Sequence, residues 1–281
     1  MGTTGPARPD RRRACRTGHP RPRPHAPHLG ETAPIPLLAL AQLFTRDVPG
    51  LAGPDGCDLL QVLWCPFESH GPRRNAFDVV LTWRRSADVT DVLPAQPEPA
   101  VIGRAQGLPN PCVLHPEQVT EHEYIELLDD ELLESVEEWE EDMEEAADDA
   151  TDGAAEPGGY ATYEEYEAAM RAAERNTAPA VSYTGDLSIA PGWKAGGFAS
   201  WHLTGPTTAV CAACGTPMRL LLTAADREWD TGTESWVPVE DRESMNAKGA
   251  NTPTGVSPAR GTMHLLICPD DPDHPHHTVF Q

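Results

Sequence analysis

The apolar residues of this chain fall in short runs that proline and glycine interrupt, and this spacing most constrains its fold. Residues 37–83 contain three such runs, LLALAQLF, CDLLQVLWCPF and FDVVLTW. Runs of this length that are bounded by breakers and contain Val, Phe and Trp form strands more readily than helices. The chain has 29 Pro and 23 Gly in 281 residues, so turns are frequent. The first half, residues 35–119, is therefore predicted to form a small sheet.

Negative charge is concentrated in one segment. The formal net charge is -23, and residues 121–170 hold 21 of the 44 acidic side chains and no Lys or Arg. Thr120 and Glu123 form a capping-box pattern that opens a helix, and Thr162 starts the same pattern again. Apolar residues after the first cap recur at steps of three or four and share one helix face: Ile125, Leu128, Leu132, Val136, Trp139 and Met143. The sequence predicts an acidic helical insert over residues 120–178, with a long and a short helix, whose apolar stripe is core.

The second half of the chain, residues 179–281, resembles the first. Each half has an apolar run, a loop, a second run that follows a Gly, and then Cys-Pro. This similarity predicts an internal duplication. The leader is rich in Arg and Pro and has almost no large apolar residue, so we expect it to be disordered. The expected segments are 1–34 (leader), 35–119 (first β half), 120–178 (acidic helical insert) and 179–281 (second β half). The expected fold class is α+β, predominantly antiparallel β, with two related sheet-forming halves.

A C-x-x-C motif opens the stretch CAACGTPMRLLLTAAD. Cys211 and Cys214 can present two thiolates to one tetrahedral ion, and a structural zinc site needs two further ligands. If the apolar runs that flank the long loop pair as neighbouring strands, Cys268 returns to the motif as a third ligand. His274 is the predicted fourth ligand, since an imidazole with three thiolates is an ordinary zinc shell. The alternatives for the fourth position are Asp271, His276 and His277. The sequence predicts one structural zinc; reduced, buried thiols without a metal are the alternative.

The chain contains no spacing of a familiar catalytic motif. H-E-x-x-H, G-x-S-x-G, the P-loop and G-x-G-x-x-G do not occur. A thioredoxin-type motif would have to open a helix, whereas Gly215 and Pro217 follow this one. Seven scattered cysteines and the lack of an apolar export signal indicate reduced thiols, and no apolar run approaches the ~20 residues that cross a bilayer. We expect a cytoplasmic, non-enzymatic protein without a membrane partner.

Several of these segments resemble the YwqG-like family, which is related to eukaryotic programmed cell death protein 2 and its yeast ribosome-assembly counterpart. The resemblance covers residues 37–83 and 185–281. In the first part, LALAQL and DLLQVLWCPF are similar to a Gln-containing strand pair of the family. In the second part, G-G-F-x-x-W precedes C-x-x-C-G, an apolar run and a Gly-led strand that ends in Cys. The residues of the first of these motifs are Gly196, Gly197, Phe198 and Trp201.

The chain departs from the family pattern at a few positions. Ala199 and Leu203 stand where relatives tend to have Pro and Gln, and Asp271 stands where zinc-type relatives have a second cysteine. The Arg/Pro leader stands in place of a G-G-x-P-x-W segment, which suggests a truncated or mis-started copy. The resemblance implies a duplicated, mostly antiparallel β unit and a binding protein rather than a catalyst. Eukaryotic relatives are linked to ribosomal-protein escort and rRNA maturation.

The acidic helix is the predicted surface for a partner. Dense negative charge repels nucleic acid and attracts basic proteins through fast, salt-sensitive association; a solvated helix without a dedicated partner explains the same charges. The residues expected to contact a basic protein are two exposed tryptophans and three helix carboxylates: Trp193, Trp201, Glu138, Glu141 and Glu145. The alternative functions are an immunity protein that inhibits a toxin, and an RNA or ribosome-biogenesis accessory protein whose Arg-rich leader contacts phosphates.

Overall fold

The computed structural model describes residues 36–51, 53–68, 77–97, 99, 102–152, 162–167, 181–258 and 261–281. In this part of the chain, two antiparallel sheets and a few helical segments give an α+β fold, as predicted. The chain divides into two compact units. The first comprises Met1–Val119 with Pro191–Gln281, and the second is Thr120–Ala190. The leader over residues 1–34, which was expected to be disordered, lies outside the described residues.

The first sheet is a three-stranded antiparallel meander in the first unit. Its strands, in spatial order, are β1 (Leu38–Phe44), β2 (Leu59–Glu68) and β3 (Phe77–Arg84). They are the three apolar runs that the sequence predicts as strands. Side chains alternate across a sheet, and Leu60, Val62 and Trp64 of the central strand are fully buried. The indole of Trp64 also donates a hydrogen bond of 3.0 Å to the Gly107 carbonyl, so even its polar atom is satisfied in the core.

The second sheet has four antiparallel strands and also belongs to the first unit. In spatial order they are β4 (Lys194–Ala195), β5 (Arg219–Ala225), β6 (Thr262–Ile267) and β7 (His277–Phe280). The pairing of β5 with β6 sets Arg219 opposite Ile267. The prediction that these two runs are neighbouring strands is therefore confirmed, and the start of β5 lies beside the end of β6.

Both sheets contribute to one hydrophobic core. Leu38, Leu60 and Val79 from the first sheet belong to the same cluster as Leu221 and Met263 from the second. Burying a side chain of this size contributes about 1.5–3 kcal/mol, so the two halves of the first unit stabilise each other. No helix in the described part of the chain combines the length and the apolar character needed to cross a bilayer.

The second unit contains the long acidic helix α1 (Asp130–Asp152). The expected start at the Thr120 capping box is wrong. Instead, the Asp129 carboxylate accepts a hydrogen bond of 2.9 Å from the N–H of Leu132 at the start of the helix. The residues after Thr120 have other partners, since the N–H of His122 donates to the Leu187 carbonyl at 3.0 Å.

The apolar stripe of α1 is less buried than expected. Val136, Trp139 and Met143 are half-buried, whereas Leu132 is 53% exposed. Among the helix side chains that the structure describes, none is buried, so the expectation of a core stripe is wrong here. At the second predicted capping box, Thr162 does cap a helical turn, because the N–H of Glu165 donates to the Thr162 hydroxyl at 3.2 Å. A short helical turn follows over residues 163–167.

Short helical turns connect these elements. In the described chain, 3₁₀ turns occupy Ser86–Asp88, Ala105–Gly107, Ile125–Leu127, Glu234–Trp236 and Arg242–Ser244, and a π-helical turn occupies Tyr183–Leu187. Within the second unit, the N–H of Tyr183 donates to the Glu140 carboxylate and the Tyr183 hydroxyl donates to the Glu123 carbonyl, both at 2.6 Å. Tyr183 thus holds α1 and the segment before it together.

Candidate metal centre

The C-x-x-C motif lies in a tight hairpin just before β5. Val210 and Pro217 form an antiparallel bridge across it. The N–H of Cys211 donates to the Thr216 carbonyl at 2.9 Å, and the N–H of Gly215 donates back to the Cys211 carbonyl at 2.8 Å. Gly215 has a φ of +79°, a left-handed conformation that glycine adopts without steric cost. The glycine after the motif therefore permits the turn that brings both thiols of the motif to one place.

Cys268 follows β6 directly and reaches this hairpin through the strand pairing. Because the end of β6 lies beside the start of β5, the sulfur of Cys268 is 3.5 Å from that of Cys214. Cys268 is fully buried. The backbone N–H groups of Asp270 and Asp271 donate to its sulfur, so the turn after β6 surrounds this thiol with donors.

His274 comes from the loop between β6 and β7. Its Nδ1 is 3.5 Å from the sulfur of Cys211, and its Nε2 is 3.5 Å from a carboxylate oxygen of Asp271. The N–H of His274 also donates to the Asp271 carbonyl at 3.1 Å. A carboxylate on the far nitrogen fixes the tautomer and orientation of a ligating imidazole. Nδ1 is therefore the atom that faces the cysteines, and Asp271 orients the ring.

The four ligand atoms have the spacing of a tetrahedral shell. The three sulfurs and the imidazole nitrogen all lie within 4.8 Å of one another. Zinc bonds of ~2.3 Å to sulfur and ~2.0 Å to nitrogen imply ligand separations of about 3.5–3.8 Å, and two of the observed separations are 3.5 Å. These residues could therefore bind a metal ion: Cys211, Cys214, Cys268 and His274.

The alternative fourth ligands are placed elsewhere. The Nε2 of His276 is 3.1 Å from the Val79 carbonyl, to which it donates. His277 begins β7 and pairs with Leu266. Asp271 contacts the imidazole of His274 rather than standing in the group of four. Of the candidates that the sequence leaves open, His274 is the one beside the cysteines.

Hydrogen bonding and burial shift the pKa values of two thiols in opposite directions. Cys214 is exposed, and its hydrogen bonds with the side chain and then the backbone of Thr216 lower the pKa of its thiol to about 6. Burial raises the pKa of the Cys268 thiol, and the N–H groups of Asp271 and Asp270 act against that rise. The lowered pKa favours the thiolate of Cys214, which is the form that binds a metal. A bound cation would favour the thiolate of Cys268 as well.

Protein atoms supply all four ligands, two of them buried, while Cys214 lies at the surface and His274 is half-buried. Cys211 is 2% exposed and Cys268 is 0% exposed, and three sulfurs with one nitrogen fill a four-coordinate shell. Structural zinc sites have this form, whereas catalytic sites keep one position for water or substrate. The chemistry that the geometry supports is a cross-link between the hairpin before β5 and the loop after β6.

The tryptophans expected to be exposed are not. Trp201 is 7% exposed, and its ring centre is 6.2 Å from that of His264. Trp193 is half-buried against the core cluster, and its Nε1 donates to the Ala225 carbonyl at 2.9 Å. The expectation was wrong because the apolar area of an indole packs inward while its N–H finds a partner. The predicted carboxylates of α1 are exposed: Glu138, Glu141 and Glu145.

One buried titratable residue was not predicted. His264 in β6 is fully buried, with Nε2 at 2.9 Å from the Ser200 carbonyl and Nδ1 at 3.0 Å from the Thr223 hydroxyl. A carbonyl only accepts, so Nε2 carries the proton and Nδ1 accepts from Thr223. Burial lowers the pKa of His264 to about 4. Its signal in the sequence is its position in the apolar run TMHLLI.

Comparisons with protein-family models, with curated proteins and with solved structures each returned no match to this chain. The resemblance to the YwqG-like family therefore stays a prediction from the quoted motifs. Any functional proposal rests on the residues and their geometry.

Proposed function

We propose that this chain is a non-enzymatic protein-binding module of the YwqG-like type. In this proposal one structural zinc, held by the three cysteines and His274, stabilises a duplicated β unit, and an acidic helical insert engages a basic protein. The group of four ligands is the main support for this proposal. A zinc ion with four protein ligands cross-links the chain and has no coordination position left for water or substrate.

The strand registers support the duplication. β1 pairs with β2 with one extra residue between Ala39 and Ala41, and β5 pairs with β6 with one extra residue between Leu220 and Leu222. The extra residue is Leu40 in β1 and Leu221 in β5, and in each strand it comes directly after the second paired residue. A bulge is a specific local feature that persists within related structures, so its recurrence at the same place favours a common origin for the two halves.

Polar residues recur at the same register. One step after each bulge, Gln61 donates from Nε2 to Oε1 of Gln42 at 2.9 Å, and the Thr223 hydroxyl donates to His264. A cysteine also recurs at the same register, because Cys65 in β2 corresponds to Cys268 directly after β6. The positions that correspond to the C-x-x-C motif are Gly30 and Ala33, so the proposed duplication predicts a metal only in the second half.

Elemental analysis of the purified full chain tests the metal. We expect about one zinc per chain, with loss of the metal in both Cys211→Ala and Cys268→Ala. Cys65→Ala is the matched control, because Cys65 is also buried and occupies the corresponding register. A folded wild-type protein free of zinc would contradict the metal part of the proposal, and so would equal zinc loss in all three variants.

Charge supports the choice of a basic partner. The second unit contains α1, whose described residues include no Lys or Arg, and Glu138, Glu141 and Glu145 lie at helical spacing on one exposed face. Exposed charges act over about 10 Å at ~0.1 M salt and are screened more strongly above that. A partner held by this face is therefore expected to dissociate as salt rises.

Affinity capture from the source cells tests the partner. The bait is the full chain, compared with a triple variant, Glu138→Gln, Glu141→Gln and Glu145→Gln. The control variant has the same net charge but changes exposed residues of the first unit: Glu234→Gln, Glu240→Gln and Glu243→Gln. We expect wild type and control to retain a basic protein at low salt and release it at about half-molar salt, and the α1 variant to lose it. The proposal would be contradicted if all three forms retained the basic protein equally, or if its retention did not depend on salt concentration.

A further inference from the structure

A cavity of ≈ 310 Å³ lies within the first unit, beside the metal centre. One wall is the apolar face of β3, with Leu81 and Trp83, and another is Pro54 from the loop between β1 and β2. The third wall is the loop over residues 272–276, which includes the metal ligand His274. The volume is at the lower end of the range for small-ligand sites, roughly 300–1,000 Å³, and suits one side chain with its adjoining backbone.

The walls of this cavity are held by short contacts and stiff residues. A Cβ on Gly53 would lie 2.4 Å from the ring of Trp83, so the indole packs directly on the glycine backbone. The loop over residues 272–276 contains two of the prolines that line the cavity and is fixed to β3 by the hydrogen bond from His276 to the Val79 carbonyl. A preformed site of this kind loses little conformational entropy when it binds a ligand.

The lining favours a planar cation. Asp273 contributes a carboxylate, Trp83 contributes an indole, and none of the described residues that line the cavity is Lys or Arg. The Asp273 side chain is exposed, and the backbone N–H of Asp273 donates to the Asp271 carboxylate at 2.9 Å. The indole N–H of Trp83 is buried without a hydrogen-bond partner in the described part of the chain. Because this nitrogen has no exposed surface, Trp83 contributes its ring rather than its N–H to the cavity.

We propose that this cavity binds an arginine side chain in a peptide segment of the basic partner, an inference that rests on the proposed function and names what is recognised. The guanidinium stacks on the ring of Trp83 and pairs with the Asp273 carboxylate. Arginine is chosen over lysine because a planar guanidinium stacks on an aromatic ring and bonds a carboxylate through two N–H groups. The net charge of -23 favours the approach of such a segment.

The test is a titration of the ¹⁵N-labelled full chain with blocked arginine, N-acetyl-arginine N-methylamide, followed by NMR of the indole N–H signals. Trp83→Phe assigns the Trp83 signal. We expect this signal to shift and saturate with a dissociation constant of about 1 mM, the affinity of a ligand of this size. Blocked citrulline has the same shape without the charge, and it should bind at least about tenfold more weakly.

Two variants locate the binding. Asp273→Asn should weaken the response of Trp83 to blocked arginine about tenfold, whereas Glu240→Gln, which makes the same change in net charge at another exposed position, should leave it unchanged. Equal binding of citrulline, a response confined to Trp139 of α1, or no shift of Trp83 at about 50 mM ligand would each overturn the cavity proposal.

The two proposals can fail separately. If capture of a basic protein succeeds and Asp273→Asn retains it as wild type does, the partner does not use the cavity and only this inference falls. If Trp83 responds to arginine and no basic protein is captured, the proposed function falls and the arginine site remains.

Discussion

His264 should make the stability of the protein depend on pH. Burial lowers the pKa of its imidazole from 6.5 to about 4 in the folded chain. Between these two values the unfolded chain binds a proton at this residue and the folded chain does not, so the free energy of unfolding rises with pH across this window. Above a pH of about 6.5 the contribution is fully present, and below about 4 it is fully lost.

The size of this effect follows from the burial of the ring. A difference of about 2.5 in pKa corresponds to ~3 kcal/mol when the window is crossed completely, at ~1.4 kcal/mol for each unit of pKa. At about pH 5 the folded ring is still neutral and most unfolded chains are protonated, so about 2 kcal/mol should be lost relative to about pH 7.5. This is a large part of the ~5–15 kcal/mol that stabilises an ordinary domain.

The assay is urea unfolding at about pH 5, 6 and 7.5 for wild type and His264→Gln. Both proteins contain the four candidate metal ligands, so the protons that these ligands take up on acidification affect both curves and cancel in the difference. We expect wild type to lose about 2 kcal/mol more than the variant between the two ends of this range. Equal losses in the two proteins, or an NMR titration of His264 with a pKa near 6.5, would refute the reasoning.

Three further predictions follow from contacts described above. Gly215→Ala should destabilise the protein by about 1 kcal/mol in urea unfolding, because φ is +79° and the added Cβ meets no atom within 4 Å, which leaves backbone strain as the cost. Gly215→Asn should destabilise it less, because asparagine adopts this conformation more readily. An equal loss in the two variants would contradict backbone strain as the cause. Asp271→Asn should lower zinc affinity roughly 10–100-fold in competition with a chelator, because its carboxylate orients His274; unchanged affinity would count against that role. Tyr183→Phe removes the hydroxyl bond to Glu123 and should speed hydrogen exchange of the second unit by about fivefold, for a loss of ~1 kcal/mol; exchange as slow as in wild type would disagree.

The strands of the first sheet could be predicted from the sequence because they depend on short-range patterns. The runs that became β1, β2 and β3 are bounded by Pro and Gly, and their lengths leave little alternative to strands. The ligand set needed one long-range assumption, the pairing of β5 with β6, which followed from two apolar runs of similar length. His274 was selected by chemistry alone, and the turn made by Asp271 brings it to the cysteines.

The wrong predictions concern residues whose environment is set by distant parts of the chain. Thr120 and Asp129 are both suitable helix caps, and the bond from His122 to Leu187 excludes the first from the helix. Trp201 is buried beside His264. These residues are 63 positions apart in the sequence, so no local pattern predicts their contact. The cavity was not foreseen for the same reason, since Trp83 and His276 approach each other only when both sheets share a core.

The first unit is discontinuous, because its two parts flank Thr120–Ala190 along the chain. During synthesis from the N-terminus, β1 to β3 emerge first, while their core partners Leu221 and Met263 are made more than a hundred residues later. At ~5–20 residues per second this delay lasts on the order of 10–40 s. We expect the nascent first sheet to have exposed apolar surface for that time, so that a pause or truncation before β5 produces an aggregation-prone chain; limited proteolysis of stalled nascent chains would show whether the first sheet is protected earlier. The highly charged segment is synthesised within this interval, where it would keep the incomplete protein soluble.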